Sequence, residues 1–135
     1  MTDSLPTTQN TKLKIGAKWD DEVVSDVCAW ITKMTGDSLA HGDQDEFAKS
    51  LKTGTTLCKL ANAIQPGVIK KPHLNPGKMG FKMMENIGWF VNFIKSYGVQ
   101  EEYIFVTVDL YEKRNVWGVV LALRALKDKV AEKSG

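Results

Sequence analysis

LKTGTTLCKLANAIQPG, residues Leu51 to Gly67, is the stretch on which the fold turns. Leu57, Leu60, Ala61 and Ile64 stand at i, i+3, i+4 and i+7, which places them on one face of a helix. Cys58 and Ala63 add small side chains beside that face, so this helix needs neighbours on more than one side. Thr53 is the expected N-cap, Gly54 allows close backbone approach, and Pro66-Gly67 stops the helix just past Ile64. The stretch predicts a short central helix around which the other elements pack.

Upstream, Val23, Val27, Trp30 and Met34 repeat at i, i+4, i+7 and i+11, with Val24 and Ile31 widening the stripe, which predicts a helix from about Asp20 to Met34. Asp20, Asp21 and Glu22 lie at the end where the helix dipole favours anions, Gly36 ends the helix, and Trp30 reads as a core anchor. A loop from Gly36 to Gln44 leads into a short helix through Phe47 and Leu51. Downstream of the central helix, VIKKPHLNPGKMGFK is an irregular cationic connection carrying Lys70, Lys71, Lys78 and Lys82. A helix is then expected from about Lys82 to Tyr97, burying Met83, Ile87, Phe90, Val91 and Ile94 and stopped by Gly98. Two short turns follow, Glu101 to Phe105 and Val108 to Tyr111. A last helix from about Asn115 to Val130 buries Val116, Val119, Val120, Leu123 and Leu126. VTVDLY is rich in β-branched residues, but a lone strand has nothing to pair with, so helix or turn is expected there.

Composition narrows the function. With 135 residues, 43% hydrophobic and 25% charged, the chain suits one soluble domain. No apolar run approaches the about 18 residues of a membrane span, and MTDSLPTTQNTKLK lacks the apolar segment of a secretory signal, so the expected location is the cytoplasm. Residues 1–16 read as a flexible, basic arm, 17–131 as the domain and 132–135 as a tail. Cys28 and Cys58 sit inside helical patterns and read as reduced, packed thiols. GDSLAHGDQDEF does not fit a calcium loop, His41 and His73 have no ligand at metal spacing, and GxxxxGK[ST] is absent. No nucleophile has a base at a recognised spacing. The expectation is a non-enzyme without metal or cofactor.

The net charge of +2 conceals a division along the chain. From Asp20 to Glu46 eight acids face only Lys33, a net of −7, whereas from Lys49 to Lys95 eight lysines face only Glu85, a net of +7. Such a chain is electrically two-faced if the two segments fold onto different sides. Arginines are only Arg114 and Arg124 and the lysines are not interleaved with exposed aromatics, so nucleic acid is not an expected partner.

LCKLANAIQPG (Leu57 to Gly67), ENIGWFVNFIKSYGV (Glu85 to Val99) and IFVTVDLYEKRNVWGVVLALRAL (Ile104 to Leu126) together resemble a calponin homology domain, most closely the single-domain calponin and transgelin type. DDEVVSDVCAWI resembles that type's first helix, so the likeness covers roughly residues 19 to 130. It implies an all-α fold of about four main helices with short connecting helices, and a monomeric binding module of the cytoskeleton. Physical chemistry gives the most family-like residues structural roles. Asn62 and Asn86 are expected to bond backbone beside the core, Glu85 to accept free N–H groups at a helix start, and Asp109 to cap its turn. Thr53-Gly54 departs from the family, in which an acidic residue commonly precedes the glycine, and neither calponin-type C-terminal repeats nor a second tandem domain is expected within these 135 residues.

By resemblance, related domains contact actin filaments through the first helix and the region entering the last. Here that implies Lys33 on the former and Lys113, Arg114 and Trp117 on the latter. Lys70, Lys71, Lys78 and Lys82 form a secondary basic surface. Two alternatives stay open: a signalling adaptor that docks proteins without touching filaments, consistent with the acidic first helix, and microtubule binding through the lysine-rich middle.

Overall fold

A computed structural model of the chain describes residues 19–39 and 42–134, and every regular element among them is helical. The basic arm read at residues 1–16 and His41 lie outside the described residues. Four longer helices, α1 (Asp21–Thr35), α3 (Thr55–Ile64), α4 (Gly80–Tyr97) and α6 (Val116–Ser134), are joined by the shorter α2 (Gln44–Leu51), a 3-10 turn (Glu101–Tyr103) and α5 (Thr107–Tyr111). TVDLY is helical from Thr107, with Val106 extended before it, as the want of a pairing strand requires.

Local chemistry sets the ends. Asp20 caps α1, its Oδ1 accepting from the Glu22 and Val23 N–H groups at 3.0 and 3.3 Å. Gly36 ends α1 in the left-handed region at φ 83°, and Gly98 does the same for α4 at φ 115°. The cap of α3 is Gly54, not Thr53; Thr53 Oγ1 instead accepts from Thr55 N–H at 3.3 Å. Asp109, third residue of α5, reaches back so that its Oδ2 accepts from Val106 N–H at 3.0 Å.

The core lies where α1, α3, α4 and α6 meet. α3 packs against α1, α2 and α4 and buries Thr56, Leu57, Cys58, Leu60 and Ala61, so the expected two-sided burial holds. Ala63 is exposed, however, and the most completely enclosed helix is α6, buried from Val116 to Leu123 on all sides but Gly118 and packed on α1, α2, α5 and the 3-10 turn. The centre is therefore shared between α3 and α6. In α1 the buried stripe is Val24, Val27, Cys28 and Ile31, and Trp30, expected as an anchor, is half-buried at its edge. Cys28 and Cys58 are free thiols, and burial pushes them up to about 11 and about 12, which keeps them protonated and unreactive at neutral pH.

Asn62 and Asn86 tie irregular backbone to this core. Asn62 Oδ1 accepts from Ile69 N–H at 2.9 Å and its Nδ2 donates to Ile69 O at 3.0 Å, which fixes the connection between α3 and α4. Asn86, fully buried, donates from Nδ2 to Thr53 O and His73 O at 2.9 Å each and accepts from His73 N–H at 2.9 Å. Glu85 has a different place from the one expected: α4 begins at Gly80, so Glu85 stands in its second turn and its Oε1 meets His73 Nε2 at 2.7 Å.

Asp37 pins the loop after α1 to α3. Its Oδ2 accepts from Thr56 Oγ1 at 2.8 Å and Lys59 Nζ lies 3.1 Å from its Oδ1. Burial alone acts to raise this carboxyl, but the Thr56 hydroxyl and the Lys59 ammonium outweigh it and hold Asp37 below its ordinary 3.8. A carboxylate depressed on folding stabilises the protein fully above its ordinary value and ceases to as pH falls through the folded one. Asp37→Asn is therefore expected to cost about 1 kcal/mol at neutral pH, with the gap to the parent chain closing as urea melts are taken to acid; a gap independent of pH contradicts the assignment.

Candidate functional site

Long-range packing decides which cations share a surface. Trp19, just before α1, stands edge-on to Phe47 of α2 at 5.8 Å and to Trp117 of α6 at 5.7 Å between ring centroids. The N-terminal end of α1 is thereby fixed beside the start of α6. Trp117 is only 8% exposed, so its indole belongs to this aromatic cluster and supports the turn before it from beneath. Lys33 stands exposed in the last turn of α1, and at 1.5 Å per residue from Asp20 it lies about 20 Å away along the helix. The four residues implied for one surface thus fall into an exposed cation at one end of α1, an exposed pair at the other, and a buried ring.

The exposed pair is Lys113-Arg114, in the turn between α5 and α6. Lys113 holds a left-handed backbone at φ 57°, which reverses the chain within a few residues of Tyr111. Its N–H donates to Leu110 O at 3.1 Å, and Asn115 Oδ1 then caps α6 by accepting from Gly118 N–H at 3.1 Å. The turn overlooks a cleft of about 310 Å³ between α2 and α5, lined by Asp45, Ala48, Lys49, Lys52, Leu110, Tyr111 and Lys113. Three lysines there face one carboxylate. Lys113 Nζ lies 3.2 Å from Asp45 Oδ1, with the two side chains 51% and 75% exposed, so the pair is weak and readily exchanged for another anion. Lys52 Nζ rests 4.8 Å above the centre of the Tyr111 ring.

Lys49 and Lys52 belong to no motif that marks them in the sequence. The available signal was their spacing: they sit at the C-terminal end of α2, interleaved with Phe47, Ala48 and Leu51, which the helix buries on its other side. That they meet Lys113 depends on how α2 packs against α5, which no local pattern carries.

The lysines of the connection between α3 and α4 form a separate region. Lys70, Lys71 and Lys78 are exposed and Lys82 is half-buried, and among the described residues none of them makes an ion pair. Of the cations between Lys49 and Lys95, Lys59 is engaged with Asp37. The acids of α1 contribute elsewhere, with Asp26 Oδ2 accepting from Lys127 Nζ of α6 at 2.9 Å. Among the described residues there is no group of three metal-ligating side chains, and no helix is long and apolar enough to cross a membrane.

Comparison with known proteins identifies this all-helical bundle. Residues 21–131 match the calponin homology (CH) domain, and the chain belongs to that family. It is 42% identical over 115 residues to Myophilin of Echinococcus granulosus and 36% identical over 115 residues to Muscle-specific protein 20 of Drosophila melanogaster. These alignments take in 85% of this chain, but 59% and 60% of the relatives, so the chain spans about three fifths of their length. Among solved structures it is similar to the calponin-homology domain of Rng2 from Schizosaccharomyces pombe, with a TM-score of 0.72 and 28% identity over 83% of this chain and 69% of that one. The calponin-homology domain of an IQGAP protein from the same organism aligns with a TM-score of 0.68 and 29% identity over 82% of this chain and 68% of that one.

Proposed function

We propose that the chain is a non-enzymatic binding module of the cytoskeleton that engages actin filaments through the cationic turn Lys113-Arg114. The observation that carries this reading is the cleft beside that turn, where Lys49, Lys52 and Lys113 ring an apolar floor of Leu110 and the Tyr111 ring. Actin filaments are acidic, and a basic surface with a small apolar centre steers encounter and then excludes water from the contact. Trp117 serves from below, holding the turn in place, and Lys33 adds a second, separate point of contact at the far end of α1. Membership of the calponin homology family supports the cytoskeletal setting and, with it, a cytoplasmic location.

The purified chain is accordingly expected to pellet with actin filaments, less so as salt rises, and to stay in the supernatant with microtubules. Co-sedimentation with each polymer at two salt concentrations checks this; pelleting with microtubules alone overturns it. The second reading, a protein-docking adaptor without filament contact, rests on the exposed Asp21, Glu22 and Asp26 of α1, whose sign disfavours an acidic polymer. Absence of pelleting with either polymer is the result that favours it.

A further inference from the structure

A second open concavity shares no residue with the cleft beside Lys113. It is a groove of about 670 Å³ between α4 and the connection that precedes it, lined by Val68, Ile69, Lys70, Lys71, Trp89, Asn92, Phe93 and Ser96. Its volume lies within the range of about 300–1,000 Å³ typical of ligand sites. The floor is apolar, from Val68, Ile69, Trp89 and Phe93, and the rim is cationic on the connection side and neutral polar on the helix side.

The groove is preformed, because the wall opposite α4 is held at both ends. Asn62 clamps Ile69 by two hydrogen bonds of 2.9 and 3.0 Å. Four residues on, His73 is fixed through its backbone to Asn86 and Thr55, and its ring stacks on Trp89 at 5.2 Å between centroids and 28° between planes. Lys70 and Lys71 project from the segment between these anchors and are exposed. Little conformational freedom remains for a ligand to suppress, which favours binding. Among the described residues no carboxylate lines the groove, and Glu85, one turn before Trp89 on α4, is already engaged by His73 Nε2 at 2.7 Å. The positive strip also extends past the groove. Lys82, Trp89, Phe93 and Ser96 recur at i, i+7, i+11 and i+14 and share one face of α4, about 21 Å long at 1.5 Å per residue.

We propose that this groove receives an acidic, amphipathic peptide segment of a partner protein. Its apolar side chains fill the space over Trp89 and Phe93, and its carboxylates meet Lys70, Lys71 and Lys82. The length of the strip selects a peptide over a compact small molecule, since a helix of roughly 14 residues covers it from end to end. This surface lies apart from the proposed filament contact, so the chain would hold two partners at once.

The test uses the full chain and a synthetic peptide of about 14 residues with leucine at i, i+3 and i+7, Asp or Glu at a few positions flanking that face and alanine elsewhere, so that like charges do not oppose the helix. A scrambled peptide of the same composition and phosphatidylserine vesicles complete the set. Binding is read by fluorescence anisotropy of the labelled peptide and by the NMR shift of the Trp89 indole N–H, assigned with Trp89→Phe. Saturable binding that moves the Trp89 signal is expected, weakened at least tenfold by scrambling, by the double variant Lys70→Glu/Lys71→Glu and by Ser96→Trp, which fills the groove. Unchanged thermal unfolding of both variants, whose altered side chains are exposed, shows that the fold is intact. Equal affinity for the scrambled peptide, binding insensitive to both variants, or binding to the vesicles and not to the peptide each overturns the proposal. Actin co-sedimentation of the double variant is expected to match the parent chain, which separates failure here from failure of the filament reading.

Discussion

Asn86→Ala is expected to destabilise the fold by about 3–5 kcal/mol, visible as a large fall in the urea midpoint with an unchanged slope. The side chain is fully buried and makes three hydrogen bonds of 2.9 Å to backbone groups of two separate segments, Thr53 and His73. Truncation leaves Thr53 O and His73 N–H without that partner inside the protein, at about 1–3 kcal/mol for each unpaired buried group. His73 O retains the Thr55 hydroxyl at 3.2 Å, which limits the loss there. Asn86→Asp is expected to be nearly as damaging, because it keeps the acceptor for His73 N–H but removes both donors and buries a charge. A loss below about 1 kcal/mol for the alanine variant contradicts the role assigned to this side chain.

Gly54→Ala should lower the melting temperature by about 10 °C, from a loss of about 2–4 kcal/mol. Two independent effects act at this position. The backbone is left-handed at φ 76°, and a Cβ would stand 2.5 Å from Asn86 Cβ and 3.0 Å from Ile87 N. The turn before α3 and the middle of α4 are that close, so one or the other must move. Gly36→Ala is the control: its φ is 83°, but nothing lies within 4 Å of the added Cβ, so only the conformational strain of about 1–2 kcal/mol applies. Calorimetry that finds the two variants equally stable removes close packing as the reason for Gly54.

These two positions also mark what could be read from the chain alone. Helix ends governed by local chemistry are legible: the acidic start of α1 at Asp20 to Glu22, though not the capping role of Asp20 itself, Gly36 and Gly98 after α1 and α4, and the backbone-binding roles of Asn62 and Asn86. The start of α4 is not, because Met79 offers no side-chain cap, and Glu85 was consequently placed at a helix start when it stands in the second turn. The run of α6 to Ser134 past Val130 was hidden by its charged composition. Lys129 Nζ bonds Glu132 Oε1 at 3.0 Å and Lys133 Nζ rests 4.0 Å from the centre of the Tyr97 ring, contacts that hold a polar segment helical against α4.

The candidate surface was legible in type and not in arrangement. Lys113 and Arg114 were reachable through the family pattern and are exposed beside a cleft. Trp117 matched the same pattern but faces Trp19, a contact between residues almost a hundred positions apart that no periodicity encodes. The two-faced charge division is real in part. Lys59 is engaged with an acid of the opposite segment, while Lys49 and Lys52 line the Lys113 cleft and Lys70 and Lys71 line the groove over Trp89.

The most direct test of the filament reading compares two charge reversals by quantitative co-sedimentation with actin filaments at low salt: Lys113→Glu/Arg114→Glu against Lys70→Glu/Lys71→Glu. Both alter exposed side chains and change net charge equally, so bulk electrostatics affects them alike. At least a tenfold loss of affinity is expected for the first and near-parental pelleting for the second. Equal losses, or a loss confined to the second, would contradict the filament reading.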